Sequence, residues 1–141
     1  MKFVVLAVGK MRDAWVREGC EEYLRRVRAK VPIEIIELKT THEIERRLPP
    51  RSLVWALDST GKQFTSEEFA TALKSRIDAS AQSIAFLLGG ADGLPEAIVK
   101  RADLRWSFGK LTLPHRLARL VLVEQLYRAL SILRREPYHR G

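Results

Sequence analysis

The sequence is poor in cysteine and lacks long apolar runs. Its 141 residues contain one cysteine, Cys20, so no disulfide can form within the chain. This scarcity favours a reducing compartment, and we expect a cytoplasmic protein in which Cys20 packs in a helix. The longest apolar stretch, residues 117–133, is interrupted by Arg119, Glu124 and Arg128. It is therefore not expected to span a membrane.

The sequence also lacks the usual signatures of metal, nucleotide and hydrolase sites. His42, His115 and His139 are scattered along the chain and form no ligand-spaced pair with Cys20, so no metal site is predicted. Neither G-x-G-x-x-G nor G-x-x-x-x-G-K-[ST] occurs, which argues against a dinucleotide fingerprint and a P-loop. The absence of G-x-S-x-G argues against a serine hydrolase.

Positive charge is abundant and unevenly distributed. The net charge is +8, and residues 1–99 carry 15 Lys and Arg against 14 Asp and Glu, whereas residues 100–141 carry 10 against 3. This uneven distribution of charge predicts an anionic partner. We expect the C-terminal third to face phosphate groups of that partner. A solvated basic face without a specific partner would give the same composition.

Apolar runs and helical periodicity alternate along the chain. Strands are predicted at 2–8, 33–38, 52–57, 83–88 and 104–108. Helices are predicted at 12–29, 41–48, 65–78, 95–101 and 114–135. This alternation predicts an α/β fold with a mainly parallel sheet and helices on both faces. The length fits a single domain covering residues 1–141.

Several local features refine this prediction. The first long helix has an apolar stripe that includes Trp15, Val16 and Leu24. Residues 58–61, with the sequence Asp-Ser-Thr-Gly, are typical of a turn. Thr65 and Glu68 have the spacing of a capping box that opens the third helix.

The last predicted helix is apolar almost all round. Its only polar strip consists of Glu124, Arg128, Ser131 and Arg135. We infer that one face packs on the sheet and the other on a second subunit, although burial within one chain would also explain the pattern.

Ligands of open α/β sheets bind at the carboxyl ends of strands, here after Leu57, Leu88 and Phe108. Residues 89–93, Gly-Gly-Ala-Asp-Gly, would let a ligand approach the backbone, or would form a tight connection. Arg116 and Arg119 lie in the first turns of the last helix, where cations oppose the helix dipole. They indicate either a nearby anion or a solvated face.

The chain ends in an unusual group of residues. Tyr138, His139 and Arg140 follow Pro137 and could stack on a base, move a proton and pair with phosphate. An ordinary polar tail is the other interpretation.

These segments together resemble one known family. The sequence is similar along essentially its whole length to the bacterial ribosomal RNA large subunit methyltransferase H family, within the SPOUT class of α/β-knot methyltransferases. The matching segments are residues 7–10, 22–26, 56–58, 88–94, 111–115 and 137–140.

The resemblance implies a C-terminal trefoil knot, a homodimer, S-adenosyl-L-methionine as methyl donor, and N3 of a pseudouridine in large-subunit (23S) ribosomal RNA as acceptor. The implied substrate is the assembled ribosome. The implied cofactor contacts are Leu57, Gly89, Phe108, Gly109, Lys110, Leu111, Thr112 and Leu113.

Transfer to an imide nitrogen requires positioning and loss of a proton, and needs no metal. We expect His139 or a neighbouring oxygen to assist that loss, with His115 at the helix start as a second candidate. Arg140 and Arg128 would stabilise the charge that develops on the base, and Tyr138 would stack on it. Two other hypotheses remain: a non-catalytic ribosome- or RNA-binding protein, and a knotted methyltransferase acting on transfer RNA.

Overall fold

A computed structural model describes residues 1–140. Its strands are β1 (Lys2–Val8), β2 (Ile33–Leu38), β3 (Ser52–Gln63), β4 (Ser83–Leu88) and β5 (Leu104–Ser107). Its α-helices are α1 (Ala14–Arg28), α2 (Ile44–Arg47), α3 (Ser66–Asp78), α4 (Glu96–Arg101) and α5 (His115–Leu133). Short 3-10 helices cover Thr41–Glu43 and Pro137–Arg140. None of the helices among these residues is long and apolar enough to cross a membrane.

The strands form one sheet in the order β2-β1-β4-β3-β5, and every pairing is parallel. The central strand β4 is buried at all of its positions, as a parallel strand covered on both faces should be. The predicted parallel α/β sheet is therefore confirmed. The trefoil knot stays a prediction.

Helices cover both faces of this sheet, as predicted. Alternate residues of β1 point to opposite sides, so Phe3 and Val5 join the core beneath α1, α3 and α5, while Val4 and Leu6 join a second cluster. Ile44 of α2 and Ile98 of α4 complete that second cluster.

The turn predicted at residues 58–61 is wrong. β3 continues through these residues and pairs Lys62 with Trp106 after an irregularity in the register. A Cβ at Gly61 would lie 2.6 Å from the backbone of Arg105, so the glycine allows β3 to press against β5. Turn-forming residues here make a bulge rather than end the strand.

Two residues differ in burial from the prediction: Trp15 of α1 and Ser131 of α5. Trp15 is 58% exposed, outside the buried stripe that includes Val16, Cys20 and Leu24. Ser131 is fully buried rather than part of an exposed strip, and its hydroxyl is satisfied there by donating to the Tyr127 carbonyl at 3.0 Å. Burial raises the pKa of Cys20 to about 11, consistent with a packing role.

Much of the second apolar face of α5 is covered by other helices of the same chain. A Cβ at Gly19 of α1 would lie 3.1 Å from Leu120, so α1 and α5 approach closely. On the other side, the Ser66 hydroxyl of α3 donates to Gln125 at 2.8 Å. The faces we assigned to a second subunit are thus partly covered by α1 and α3.

The cations at the start of α5 have anionic partners within the chain. Arg116 pairs with Asp13 at 2.9 Å. The buried Arg119 pairs with Glu37 at 2.5 Å and donates to the Gly9 carbonyl at 2.9 Å. The nearby anions predicted from these cations are therefore carboxylates of the protein itself.

Arg119 and Glu37 join α5 to β2 and to the loop after β1. Burial acts to raise the pKa of Glu37, but hydrogen bonds from Arg119 and the Met11 N–H outweigh it, so the pKa lies below its ordinary value. Glu37 is therefore charged at neutral pH and compensates the guanidinium.

The two partners differ in burial, so their removal should differ in cost. The side chain of Arg119 is 4% exposed and that of Glu37 is 37% exposed. Glu37→Gln leaves a buried cation without a counter-charge and should cost about 3 kcal/mol of unfolding free energy, whereas Arg119→Met should cost about 1 kcal/mol. Urea denaturation at pH 7 measures both variants. Equal costs, or a greater cost for Arg119→Met, would contradict this account.

Candidate active site

A cleft of about 620 Å³ lies at the carboxyl edge of the sheet. The segments that follow β3, β4 and β5 meet there, because the carboxyl ends of parallel strands share one edge. His115, at the start of α5, also lines the cleft. The structure places all eight predicted cofactor residues on its walls: Leu57, Gly89, Phe108, Gly109, Lys110, Leu111, Thr112 and Leu113.

The glycine-rich turn after β4 forms one wall. The Gly93 N–H donates to the Gly90 carbonyl at 3.0 Å, and Gly93 has a φ of 73°. A Cβ at Gly89 would lie 2.4 Å from the carbonyl carbon of Gly93, so Gly89 has no room for a side chain. The turn is thus both a tight connection and a backbone surface open to a ligand.

The loop after β5 forms the opposite wall. The buried Ser107 hydroxyl lies 3.1 Å from the Gly109 N–H, from which it accepts, and 3.0 Å from the Gly109 carbonyl, to which it donates. Gly109 has a φ of 133°, and a Cβ there would meet no atom within 4 Å. The loop therefore exposes backbone beside open space.

Aromatic packing supports this wall from behind. The ring of Trp106, which also lines the cleft, stacks on Phe69 with centroids 4.1 Å apart and an interplanar angle of 13°. Phe108 contacts the edge of Trp106 at a centroid distance of 4.9 Å. The wall is anchored to α3 through these rings.

Sequence reasoning missed several residues that line the cleft. Asp58 and Ser59 lie there directly after Leu57, so their position at a strand end was an available signal. Ala118 lines the cleft from the second turn of α5, and nothing in the sequence indicated this.

A second group of polar side chains surrounds the C-terminal 3-10 helix. We call it the tail cluster: Tyr23, Glu124, Arg128, Tyr138 and His139. Tyr138 donates its hydroxyl to Glu124 at 2.7 Å and lies 2.9 Å from the Tyr23 hydroxyl. Arg128 binds Glu124 through Nε at 3.1 Å and Nη2 at 2.9 Å.

These contacts order the tail and alter its acid–base behaviour. Burial, followed by the hydrogen bonds with Tyr23 and Glu124, raises the pKa of Tyr138. The hydrogen bond to Glu124 raises the pKa of Arg128, whose guanidinium lies 4.8 Å from the centre of the Tyr138 ring. Tyr138 therefore stays protonated at neutral pH, and Arg128 covers one face of its ring.

The structure brings Arg128, Tyr138 and His139 together, with Arg140 next to them in the chain. It places His115 apart from them, in the cleft. None of the tail cluster lines the cleft. Arg128 lies ten residues beyond Ala118, or about 15 Å along α5 at the helical rise. Within one chain, the predicted catalytic groups thus form two separate sites.

The described residues, 1–140, hold no cluster of metal-ligating side chains. No three His, Cys, Asp or Glu side chains in this range are placed to hold a metal ion. The polar groups of the cleft are backbone atoms and isolated side chains.

Comparison with known proteins identifies the family. Residues 1–139 match the family model described as "Predicted SPOUT methyltransferase". Proteins named ribosomal RNA large subunit methyltransferase H are 45% identical in Rubrobacter xylanophilus, over 96% of both chains, and 43% identical in Sorangium cellulosum, over 98% of this chain and 99% of that protein.

Solved structures show the same fold at much lower identity. A probable methyltransferase from Bordetella pertussis Tohama I gives a TM-score of 0.60 at 15% identity, covering 92% of this chain and 93% of that one. A probable methylase family protein from Haemophilus influenzae Rd KW20 gives 0.59 at 10% identity, covering 96% of this chain and 68% of that one.

The full-length family match, the identity to these relatives and the shared fold lead to one conclusion: the chain belongs to the ribosomal RNA large subunit methyltransferase H family of SPOUT methyltransferases.

Proposed function

We propose that this protein transfers a methyl group from S-adenosyl-L-methionine to N3 of a pseudouridine in large-subunit (23S) ribosomal RNA, within the assembled ribosome. The observation that carries the proposal is the cleft built from three strand-end loops, in a chain whose relatives are named for methylation of this RNA. Its location would be the cytoplasm.

The cleft suits a ligand of the size and character of this donor. Its volume of about 620 Å³ lies within the range of small-molecule sites. The Gly89 turn and the Gly109 loop offer backbone for hydrogen bonds, Leu57 and Leu113 offer apolar surface, and the Asp58 carboxylate suits a cation. When bound, the donor would supply a methyl group on a positively charged sulfur.

The tail cluster provides the remaining groups that the reaction needs. His139 would accept the N3 proton, and the cationic Arg128 and Arg140 would stabilise the negative charge left on the base. Tyr138 would stack on the base. His115, in the cleft, is the second candidate for the proton acceptor.

The distance between the cleft and the tail cluster suggests how the sites combine. We infer that the protein works as a homodimer in which the tail cluster of one subunit serves the cleft of the other. Exposed apolar side chains favour such pairing: Leu111 of the cleft is 86% exposed, Trp15 of α1 is 58% exposed, and Leu117 and Val121 are half-buried on adjacent turns of α5. Large exposed apolar groups of this kind mark association surfaces.

The charge of the chain suits a polyanionic RNA acceptor. The net charge of +7 over residues 100–141 would face phosphates and make binding depend on salt. A non-catalytic RNA-binding protein would need this charge but not the cleft.

Blocking the cleft should weaken cofactor binding without disturbing the fold. Ala91 is exposed and lines the cleft, so Ala91→Trp should fill the space and weaken S-adenosyl-L-methionine binding at least about tenfold. Ala97→Trp is the matched control, because Ala97 is exposed on α4 outside the cleft. Isothermal titration calorimetry measures both variants. No binding to the wild-type protein, or equal binding by both variants, would exclude this cleft as the donor site.

Removing the tail groups should separate binding from transfer. In the double variant His139→Ala, Arg140→Ala, donor affinity should stay within about tenfold while methyl transfer is abolished, because these groups act on the base. Transfer of a labelled methyl group to ribosomes, isolated subunits and transfer RNA gives both the rate and the substrate. Unchanged turnover would remove the tail from the mechanism, and preference for transfer RNA would replace the proposed substrate.

A charge at the exposed Trp15 should separate the subunits. Trp15→Glu should convert a dimer into a monomer of 16.2 kDa and abolish turnover, since each site would lose its partner's tail. Light scattering after size exclusion measures the mass. Ala97→Glu, on the opposite face of the sheet, should remain dimeric. A wild-type monomer with full turnover would contradict the composite site.

A further inference from the structure

Both ring nitrogens of His139 have partners within the chain. Arg128 Nη1 lies 3.0 Å from Nδ1, and Glu67 Oε1 lies 3.2 Å from Nε2. Glu67 stands in the first turn of α3, far from the tail in sequence, and it was not among the predicted catalytic residues.

The chemistry of these partners determines where the proton of a neutral ring resides. A guanidinium can only donate, so Nδ1 must act as the acceptor beside Arg128. An ionised carboxylate can only accept, so Nε2 must carry the hydrogen that faces Glu67. Both contacts are satisfied together only by the Nε2–H tautomer.

We propose that Glu67 is a positioning residue for methyl transfer, holding His139 as the Nε2–H tautomer so that Nδ1 is the atom that removes the imide proton. The inference rests on the proposed function, in which His139 accepts that proton. A carboxylate behind an imidazole serves this purpose in other enzymes: it fixes the tautomer and stabilises the imidazolium that forms.

The step assigned to His139 is a proton transfer. The N–H bond at N3 of the pseudouridine breaks and its electron pair stays on N3. The proton forms a new bond to Nδ1, giving an imidazolium with one hydrogen on each nitrogen. Glu67 stabilises this cation through the Nε2–H, and the Nδ1 proton later passes to water.

Arg128 is arranged to make room for the base without leaving the site. Its Nε and Nη2 bind Glu124, while the separate Nη1 faces His139. An incoming imide can therefore displace Nη1 from Nδ1 while the other two bonds keep the guanidinium in place. The released N–H can then donate to an oxygen of the ionised base.

Glu67 can be replaced without removing the helix cap. The capping box of α3 uses Thr65 and Glu68, with the Glu68 N–H donating to Thr65 at 3.0 Å and the Thr65 N–H donating to Glu68 at 2.8 Å. The side chain of Glu67 is 66% exposed, and exposed ion pairs contribute little to stability. The variant Glu67→Ala should therefore fold as the wild type does.

The experiment combines spectroscopy with kinetics on the full-length protein. Long-range 1H–15N correlation spectra of protein labelled at histidine report the tautomer, and His139→Gln assigns the signal. The wild type should show His139 as Nε2–H. Glu67→Ala removes one of the two partners that favour this tautomer, so the Nδ1–H population should rise above its wild-type level, while Arg128 still favours Nε2–H. Glu67→Gln should retain the wild-type population through its amide oxygen.

The same variants are then tested in the transfer assay with ribosomes. Glu67→Ala should lower kcat at least about tenfold, with the donor Kd and Tm unchanged. Glu67→Gln should lower kcat less, since it keeps the tautomer but loses the charge. Asp78→Ala is the matched control. Asp78 lies on the same helix, is 60% exposed and, among residues 1–140, forms its one ion pair with Lys74 at 2.5 Å, so its kcat should equal the wild-type value.

Different results would contradict the proposed methyl transfer and the role of Glu67. A wild type without turnover on ribosomes contradicts the proposed function. A wild type that turns over, but shows His139 as Nδ1–H or keeps its kcat in Glu67→Ala, contradicts the role of Glu67 alone.

Discussion

The site depends on the parallel pairing of β3, β4 and β5, which brings three strand ends to one edge of the sheet. β4 is buried at every position, so its register against β1 and β3 is fixed by core packing on both faces. β5 is held against β3 by the close approach at Gly61 and by the stacking of Trp106 on Phe69. These two contacts fix the start of the loop at residues 108–113 relative to β3 and α3.

Helix α5 connects the cleft to the tail cluster. Its first residue, His115, lies in the cleft, and the Arg119 pair with Glu37 fixes this end against β2 and the loop after β1. Farther along, Glu124 and Arg128 project the groups that hold Tyr138 and His139. A rigid helix of 19 residues keeps these two sites apart, and in the proposed dimer it sets the spacing across the subunits.

Much of the fold was predictable because core strands have a local signature. The bounds of β1, β2 and β4 agree with the predicted ranges, and the capping box placed the start of α3 correctly. The sequence also indicates the three strand-end loops, since a parallel sheet puts them at one edge. The errors occurred where a distant segment changes the local preference, as at Gly61, where the β5 backbone extends a predicted turn into a strand.

Alone, the sequence determined the order of the elements, the parallel class of the sheet and the three loops that line the cleft, because apolar periodicity and glycine placement are local properties. The individual cofactor residues came from the family resemblance. The partners of its charged groups were decided only by tertiary structure. Arg119 finds Glu37 across 82 positions, Tyr138 meets Tyr23 across 115, and His139 meets Glu67 on another helix. Charge and hydrogen bonding act over a few ångströms in space regardless of chain separation, so no spacing rule could identify these pairs.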